Sequence, residues 1–278
     1  MPILPISKTK LDKLGDRLRD STDPDPADLD LLNQVLRAYQ GALLVVLDRL
    51  RLLGFVPVQR LKTTGTIIDK LRRDRVCSLK TIHDLAGARV VLTGDLDAQD
   101  ALVESFCASS PPGEPPPVRI DRRVDPRAGY RAVHVVVRVD GIPVEVQFRT
   151  KLQHDWAQLF ERLADMWGRQ VRYGGALAAD PRPGMIDAKN EIIVLMFDHG
   201  AKVAKYEELC CSDAIKRMEA EAARLKFDSA EPDDNVSPDR LAVRSNYLAY
   251  RAARDEAESQ FDERLAELTL RIESLEAR

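Results

Sequence analysis

The stretch that most restricts what this chain can fold into is Pro143-Val-Glu-Val-Gln-Phe-Arg-Thr150, preceded by Asp140-Gly141. An Asp-Gly pair between two β-prone runs signals a two-residue hairpin turn, because both central residues take positive φ there. Arg131 to Val139 and Pro143 to Thr150 are therefore expected to be strands joined by that turn. Alternation with period two sends Val144, Val146 and Phe148 to a core and sets Glu145, Gln147 and Arg149 together on the opposite face. Such a polar face is either the ordinary wet side of a sheet or the floor of a metal and nucleotide site.

The rest of the chain supplies the elements around this hairpin. Leu29, Leu32, Val35, Leu36, Tyr39, Leu43, Val46, Leu47 and Leu50 recur at helical spacing and predict a long amphipathic helix that Gly54 stops. Phe55 to Leu61 reads as a short extended segment, and Thr66 to about Asp74 as a second helix. Ala88 to Leu92, between Gly87 and Gly94, has the compact apolar run of a buried strand. Asp95 to Cys107 returns to helical period, a proline-rich loop covers Ser109 to Pro117, and Val118 to Val124 is a further strand candidate. From Lys151 the pattern is mostly helical, broken at Gly174 to Gly184 and at Ser229 to Pro238. This order predicts an α+β fold, a small mixed sheet flanked by helices with helical extensions at both ends. The expected segments are a lead-in over 1–28, a central domain over 29–170 and a helical extension over 171–278. Within Arg240 to Arg278, a loose apolar stripe of Leu241, Tyr247, Phe261, Leu265, Leu268, Ile272 and Leu275 suits docking on its own domain or pairing with a second copy.

Charge and cysteine usage exclude some functions. Forty-two basic and 45 acidic side chains leave a net charge of -3 over 278 residues, so any attraction to a polyanion must come from local clustering. Cys77, Cys107, Cys210 and Cys211 form no CxxC pair and have no histidine at ligand spacing, so no zinc site is expected. The start MPILPISKTK lacks an apolar run behind a basic head, and no stretch approaches about eighteen uninterrupted apolar residues. A cytoplasmic protein with no membrane partner is expected.

Three other segments carry residue types suited to phosphate chemistry. In Arg60-Leu-Lys62-Thr-Thr-Gly-Thr66-Ile-Ile-Asp-Lys70, alternation points Arg60 and Lys62 to one side, and a hydroxyl residue then opens a helix whose free N–H groups favour anions. In His83-Asp84-Leu-Ala-Gly87-Ala-Arg89, Asp84 stands at a strand mouth, a position for holding Mg2+ or for satisfying turn N–H groups. In Gly129-Tyr130-Arg131-Ala-Val-His134, behind Arg122, Arg123 and Arg127, the tyrosine ring suits stacking on a base or capping a sheet.

Taken in this order, the motifs resemble the RelA/SpoT synthetase family, over about Gln59 to Trp156. The resemblance rests on RxK with a following hydroxyl and lysine, DLAGAR, GYRAVH, and EVQFRT followed by HDWA. It implies a nucleotidyltransferase-like synthetase fold and transfer of pyrophosphate from ATP to the 3′-hydroxyl of GDP or GTP, giving (p)ppGpp. By that resemblance Arg60, Lys62, Thr66, Lys70 and Arg89 grip ATP, and Asp84 and Glu145 hold Mg2+, with Glu145 also the base. Tyr130, Arg131, His134, Gln147, Arg149 and Arg127 then serve the acceptor. Pro126-Arg127 stands where small guanosine-directed members tend to have Pro-Lys, and Phe160-Glu161 where they tend to have Glu-His. The toxic branch of the family acts on adenosine nucleotides or the CCA end of tRNA, and the arginines at 119, 122, 123, 127 and 131 offer a strip suited to tRNA and equally to a guanosine diphosphate or triphosphate. A non-catalytic nucleotide-binding module is a further alternative, as are a homo-oligomer and an antitoxin partner.

Overall fold

A computed structural model describes residues 3–126, 128–173, 175–224 and 238–277. The chain divides into two compact units. The first comprises Met1–Leu92, Ala98–Arg122 and Ala132–Arg149, and the second Thr93–Asp97, Arg123–Arg131 and Thr150–Arg278.

Unit 1 is built on a five-stranded mixed sheet. Its strands are β1 (Val58–Leu61), β2 (Ala86–Leu92), β3 (Val118–Asp121), β4 (Val133–Val139) and β5 (Ile142–Thr150), in the order β1-β2-β5-β4-β3. The hairpin joins β4 to β5 in register, Val139 opposite Ile142 and His134 opposite Gln147. Asp140 and Gly141 make its turn at φ +51° and +80°, the left-handed pair that a two-residue connection requires. β3 and β4 are shorter than expected, because the arginine-rich residues between them form turns around Asp125-Pro126, where proline has no N–H for a ladder.

One face of this sheet is apolar. Ala86, Ala88 and Val90, Val133, Val135 and Val137, and Val144, Val146 and Phe148 are all buried. In the same core lie Leu32, Val35, Leu43, Val46 and Leu50 of helix α2 (Pro26–Leu52) and Leu102, Val103 and Phe106 of α4 (Leu96–Ala108). Asp25 caps α2, with Pro26 in its first turn, the arrangement that starts a helix at least cost. The tyrosine on this helix, Tyr39, is enclosed, and burial pushes its hydroxyl up to about 12.

The expected lead-in contains a helix, α1 (Lys8–Asp20), capped by Ser7. Its Leu11, Leu14 and Leu18 are buried in the unit 1 core, and each contributes roughly 1.5–3 kcal/mol of apolar burial. Helix α1 and the start of α2 thus lie within the sheet-bearing unit. The last passage of the chain from unit 1 to unit 2 falls between Arg149 and Thr150.

Unit 2 is helical, with α5 (Lys151–Trp167), α6 (Met185–Cys210), α7 (Asp213–Arg224) and α8 (Pro238–Glu276). Trp156 stacks on Phe160 with ring centroids 4.7 Å apart and donates its indole N–H to the Met196 carbonyl at 2.8 Å. Leu265, Leu268 and Ile272 of α8 are buried in this cluster, while Leu241 and Leu248 are exposed. The later part of the α8 stripe is thus docked within its own unit. The expected break at Ser229 to Pro238 falls almost wholly outside the described residues. Among the described residues, no helix is long and apolar enough to cross a membrane.

Candidate active site

The second face of the unit 1 sheet is polar, and register shows why. Arg60 lies opposite Gly87 and Val58 opposite Arg89 on the β1–β2 ladder, so Arg60, Gly87 and Arg89 share a face, and alternation adds Lys62 just beyond β1. On β4 and β5 the residues that alternate with the buried valines are His134 and Glu145, Gln147 and Arg149. The two halves meet where β2 adjoins β5. A Cβ on Gly87 would sit 2.8 Å from the Glu145 carbonyl oxygen, so glycine is what lets these strands approach at that point.

Asp84 ends the loop before β2, with one carboxylate oxygen 2.8 Å from Lys62 Nζ and the other 3.0 Å from Lys70 Nζ. Burial pushes its pKa up, but the two ammonium groups outweigh this and hold it below the usual carboxylate range. Glu145 is 14% exposed, with Oε1 3.0 Å from His134 Nδ1, and its Oε2 accepts from Gln147 Nε2 at 2.9 Å. Here too burial raises the pKa, and the bond to His134 with its charge brings the net shift downward. The Asp84 carboxylate also presses on Glu145, pushing it up, so the two acids feel each other. Gln147 Oε1 in turn accepts from Arg149 Nη2 at 2.9 Å. Arg149 is 1% exposed, more enclosed than the wet face of a strand requires.

The structure thus brings Arg60, Lys62, Lys70, Asp84, Arg89, His134, Glu145, Gln147 and Arg149 into one unit and sets all but Lys70 and Asp84 on one sheet face by register. Lys70 is on α3 (Thr64–Arg73), whose cap is Thr63. The helix expected to open at Thr66 begins earlier. The Thr66 hydroxyl instead donates to the Thr63 carbonyl at 2.8 Å, inside the first turn. Three threonines in Thr63-Thr-Gly-Thr66 compete for the cap, and spacing from Ile67 does not rank them.

Tyr130 and Arg131 belong to unit 2. Tyr130 is half-buried against the Trp156 and Phe160 cluster. Arg131 is 9% exposed and committed to protein groups, its Nη1 donating to the Arg123 carbonyl at 3.0 Å and its Nε 3.8 Å from Glu207. That commitment was not legible in GYR alone, because the acid lies far downstream on α6. Arg127 lies outside the described residues. The arginine strip expected for tRNA is also partly neutralised, since Arg119 bonds Asp100 at 2.6 Å.

Two carboxylates held in their charged form lie beside lysines and arginines on the polar side of the sheet, an arrangement suited to phosphate chemistry. A region found in RelA/SpoT proteins matches residues 59–164. The Mycobacterium tuberculosis protein Rv1366 (strain H37Rv) and the Mycobacterium bovis protein Mb1401 are each 35% identical over 214 residues, 73% of this chain and 75% of theirs. Among solved structures, the chain is similar to small alarmone synthetase 1 from Bacillus subtilis, at 19% identity and TM-score 0.48 over 71% of this chain and 98% of that one. Small alarmone synthetase 2 from the same organism gives 19% and 0.46, over 61% and 92%. This chain belongs to the RelA/SpoT family, and with it to the enzymes of pyrophosphokinase type.

Proposed function

We propose that the protein transfers the β,γ-pyrophosphate of ATP to the 3′-hydroxyl of GDP or GTP, forming (p)ppGpp. The observation that carries this reading is the pair Asp84 and Glu145, both held in the charged form and near enough to repel, on a sheet whose face also carries Arg60, Lys62 and Arg89. Family membership supports the donor and the reaction type.

The ribose 3′-oxygen attacks the β-phosphorus in line; the new O–P bond forms as the bond to the α-phosphate oxygen breaks, and AMP leaves. Glu145 accepts the hydroxyl proton, and its low pKa keeps it free of one at neutral pH. His134 and Gln147 fix the direction of its oxygens. Arg60, Lys62, Lys70, Arg89 and the Thr66 hydroxyl hold the triphosphate. Lys62 and Lys70 rest on Asp84 without substrate and turn to phosphate oxygens when it binds. Two charged carboxylates fit the hard oxygen ligands that Mg2+ prefers, so Asp84 and Glu145 would hold that ion, which supplies neutralisation of the polyphosphate charge. Tyr130 is assigned to the acceptor base, and Arg149 and Arg127 to acceptor phosphates, on the strength of their motifs alone.

The test is incubation with ATP labelled at the γ-phosphate and, separately, GDP, GTP, AMP and tRNA, followed by thin-layer separation. Label on GDP or GTP is expected. Label confined to tRNA or AMP would move the protein to the toxic branch, and no transfer at all would reduce it to a binding module.

A further inference from the structure

The residues that grip Arg131 lie on α6, beyond the region matched by the family, and they form one buried polar group. Glu207 is 4% exposed. One of its oxygens accepts from the Thr150 hydroxyl, and Gln153 Nε2 donates to the other at 3.1 Å, so α5 is held through its cap and first turn. The second oxygen also faces Arg131 Nε at 3.8 Å, and the neighbouring Glu208 approaches Arg131 Nη2 at 3.7 Å. The remaining arm of the guanidinium, Nη1, reaches back to the Arg123 carbonyl at 3.0 Å.

That last bond closes a loop. Arg131 and Arg123 are the two ends of the segment that carries Tyr130, and one hydrogen bond from the guanidinium ties them together while two carboxylates face its other nitrogens at 3.7 and 3.8 Å, as ion pairs without a hydrogen bond. A planar guanidinium that faces carboxylate charge on two edges presents its remaining N–H in a set direction, which a lysine ammonium would not do. Burial raises the Glu207 pKa, and the bonds from Thr150 and Gln153 with the charge of Arg131 oppose that rise.

We infer that Glu207, assisted by Glu208, is a positioning residue for the acceptor: through Arg131 it holds the Arg123–Arg131 loop in the shape that presents Tyr130 to the acceptor base. This rests on the functional reading above, in which Tyr130 meets the acceptor. It makes acceptor recognition depend on α6, a helix beyond the matched region of residues 59–164.

The experiment compares wild type with Glu207→Gln and Glu208→Gln in the full chain. In Glu207→Gln the KM for the guanosine nucleotide is expected to rise about tenfold with the KM for ATP unchanged. In Glu208→Gln, whose side chain is 65% exposed and whose loss leaves folding intact, a rise of about twofold is expected. A merely structural role would move both KM values together or neither. Amide hydrogen exchange of the peptide covering residues 123–131 gives a readout independent of turnover and is expected to quicken in both variants. Wild-type acceptor KM and wild-type exchange in Glu208→Gln and in folded Glu207→Gln overturn the inference. A wild-type protein inert toward GDP and GTP would sink the functional reading instead, and the exchange measurement would still decide the anchoring of the loop.

Discussion

Glu145 on the sheet of unit 1 and Glu207 among the helices of unit 2 are the same residue in nearly the same company, with opposite results. Each is enclosed, at 14% and 4% exposure, and each accepts from a glutamine side chain, at 2.9 and 3.1 Å. Glu145 ends below its ordinary pKa and Glu207 above it. Burial raises both, so the difference lies in the partner that opposes it. His134 touches Glu145 at 3.0 Å, whereas the nearest guanidinium nitrogen stands 3.8 Å from Glu207. His199 extends the contrast, for it too is buried in unit 2, and burial with nearby Arg264 drives its pKa down to about 4. On the sheet Asp84 and Glu145 are shifted toward their charged forms, while burial shifts Glu207 and His199 of the helical unit toward neutrality.

The largest effect should come from breaking the charged side of this contrast. Glu145→Gln keeps the bonding shape but removes the negative charge and the proton acceptor, and kcat is expected to fall about 10³-fold, or about 4 kcal/mol of barrier. Thermal stability should hold or rise, because a buried charge beside Asp84 is gone. A kcat within threefold of wild type would remove Glu145 from the chemistry.

The neutral side is broken by acid. Among the described residues neither ring nitrogen of His199 has a hydrogen-bond partner, and its folded pKa lies below the unfolded value. Between pH 6.5 and about pH 4 the unfolded chain therefore binds more protons at this position, so stability falls with falling pH across that window. The loss from His199 amounts to about 3 kcal/mol when complete. His199→Leu should match or exceed wild-type stability at pH 7 and lose about 3 kcal/mol less on acidification, measured by denaturant unfolding at several pH values. Parallel acid profiles for the two proteins would show that His199 is not the sensor.

How much of this was readable beforehand depends on the period of each signal. Glu145, Gln147 and Arg149 fell on one face because a strand repeats every two residues, and the same rule placed Arg60 with Lys62. Asp140-Gly141 announced its turn through backbone chemistry alone. What escaped was either local competition or distance. A helical extension at the N-terminus was expected and is present as α1, but local spacing does not tell that Leu11, Leu14 and Leu18 join the core under the sheet. Arg131 looked like a substrate ligand because nothing in GYRAVH points to an acid on α6. Gly87 was quoted as part of a motif, but its close approach to the Glu145 carbonyl exists only once β2 lies beside β5.

The smallest effect separates two threonines whose roles the sequence could not divide. Thr63 caps α3 by accepting from the Thr66 N–H, and Thr66 bonds back to the Thr63 carbonyl at 2.8 Å. Thr63→Ala removes the cap and should lower stability by about 1 kcal/mol. Thr66→Val keeps the shape and the cap while deleting the hydroxyl. If that hydroxyl turns to the triphosphate on binding, the KM for ATP rises about fivefold, close to one hydrogen bond, with the melting temperature almost unchanged. A variant that instead loses stability and keeps its ATP KM would make Thr66 a helix-turn residue only, and the charged face would then hold its donor through Arg60, Lys62, Lys70 and Arg89 alone.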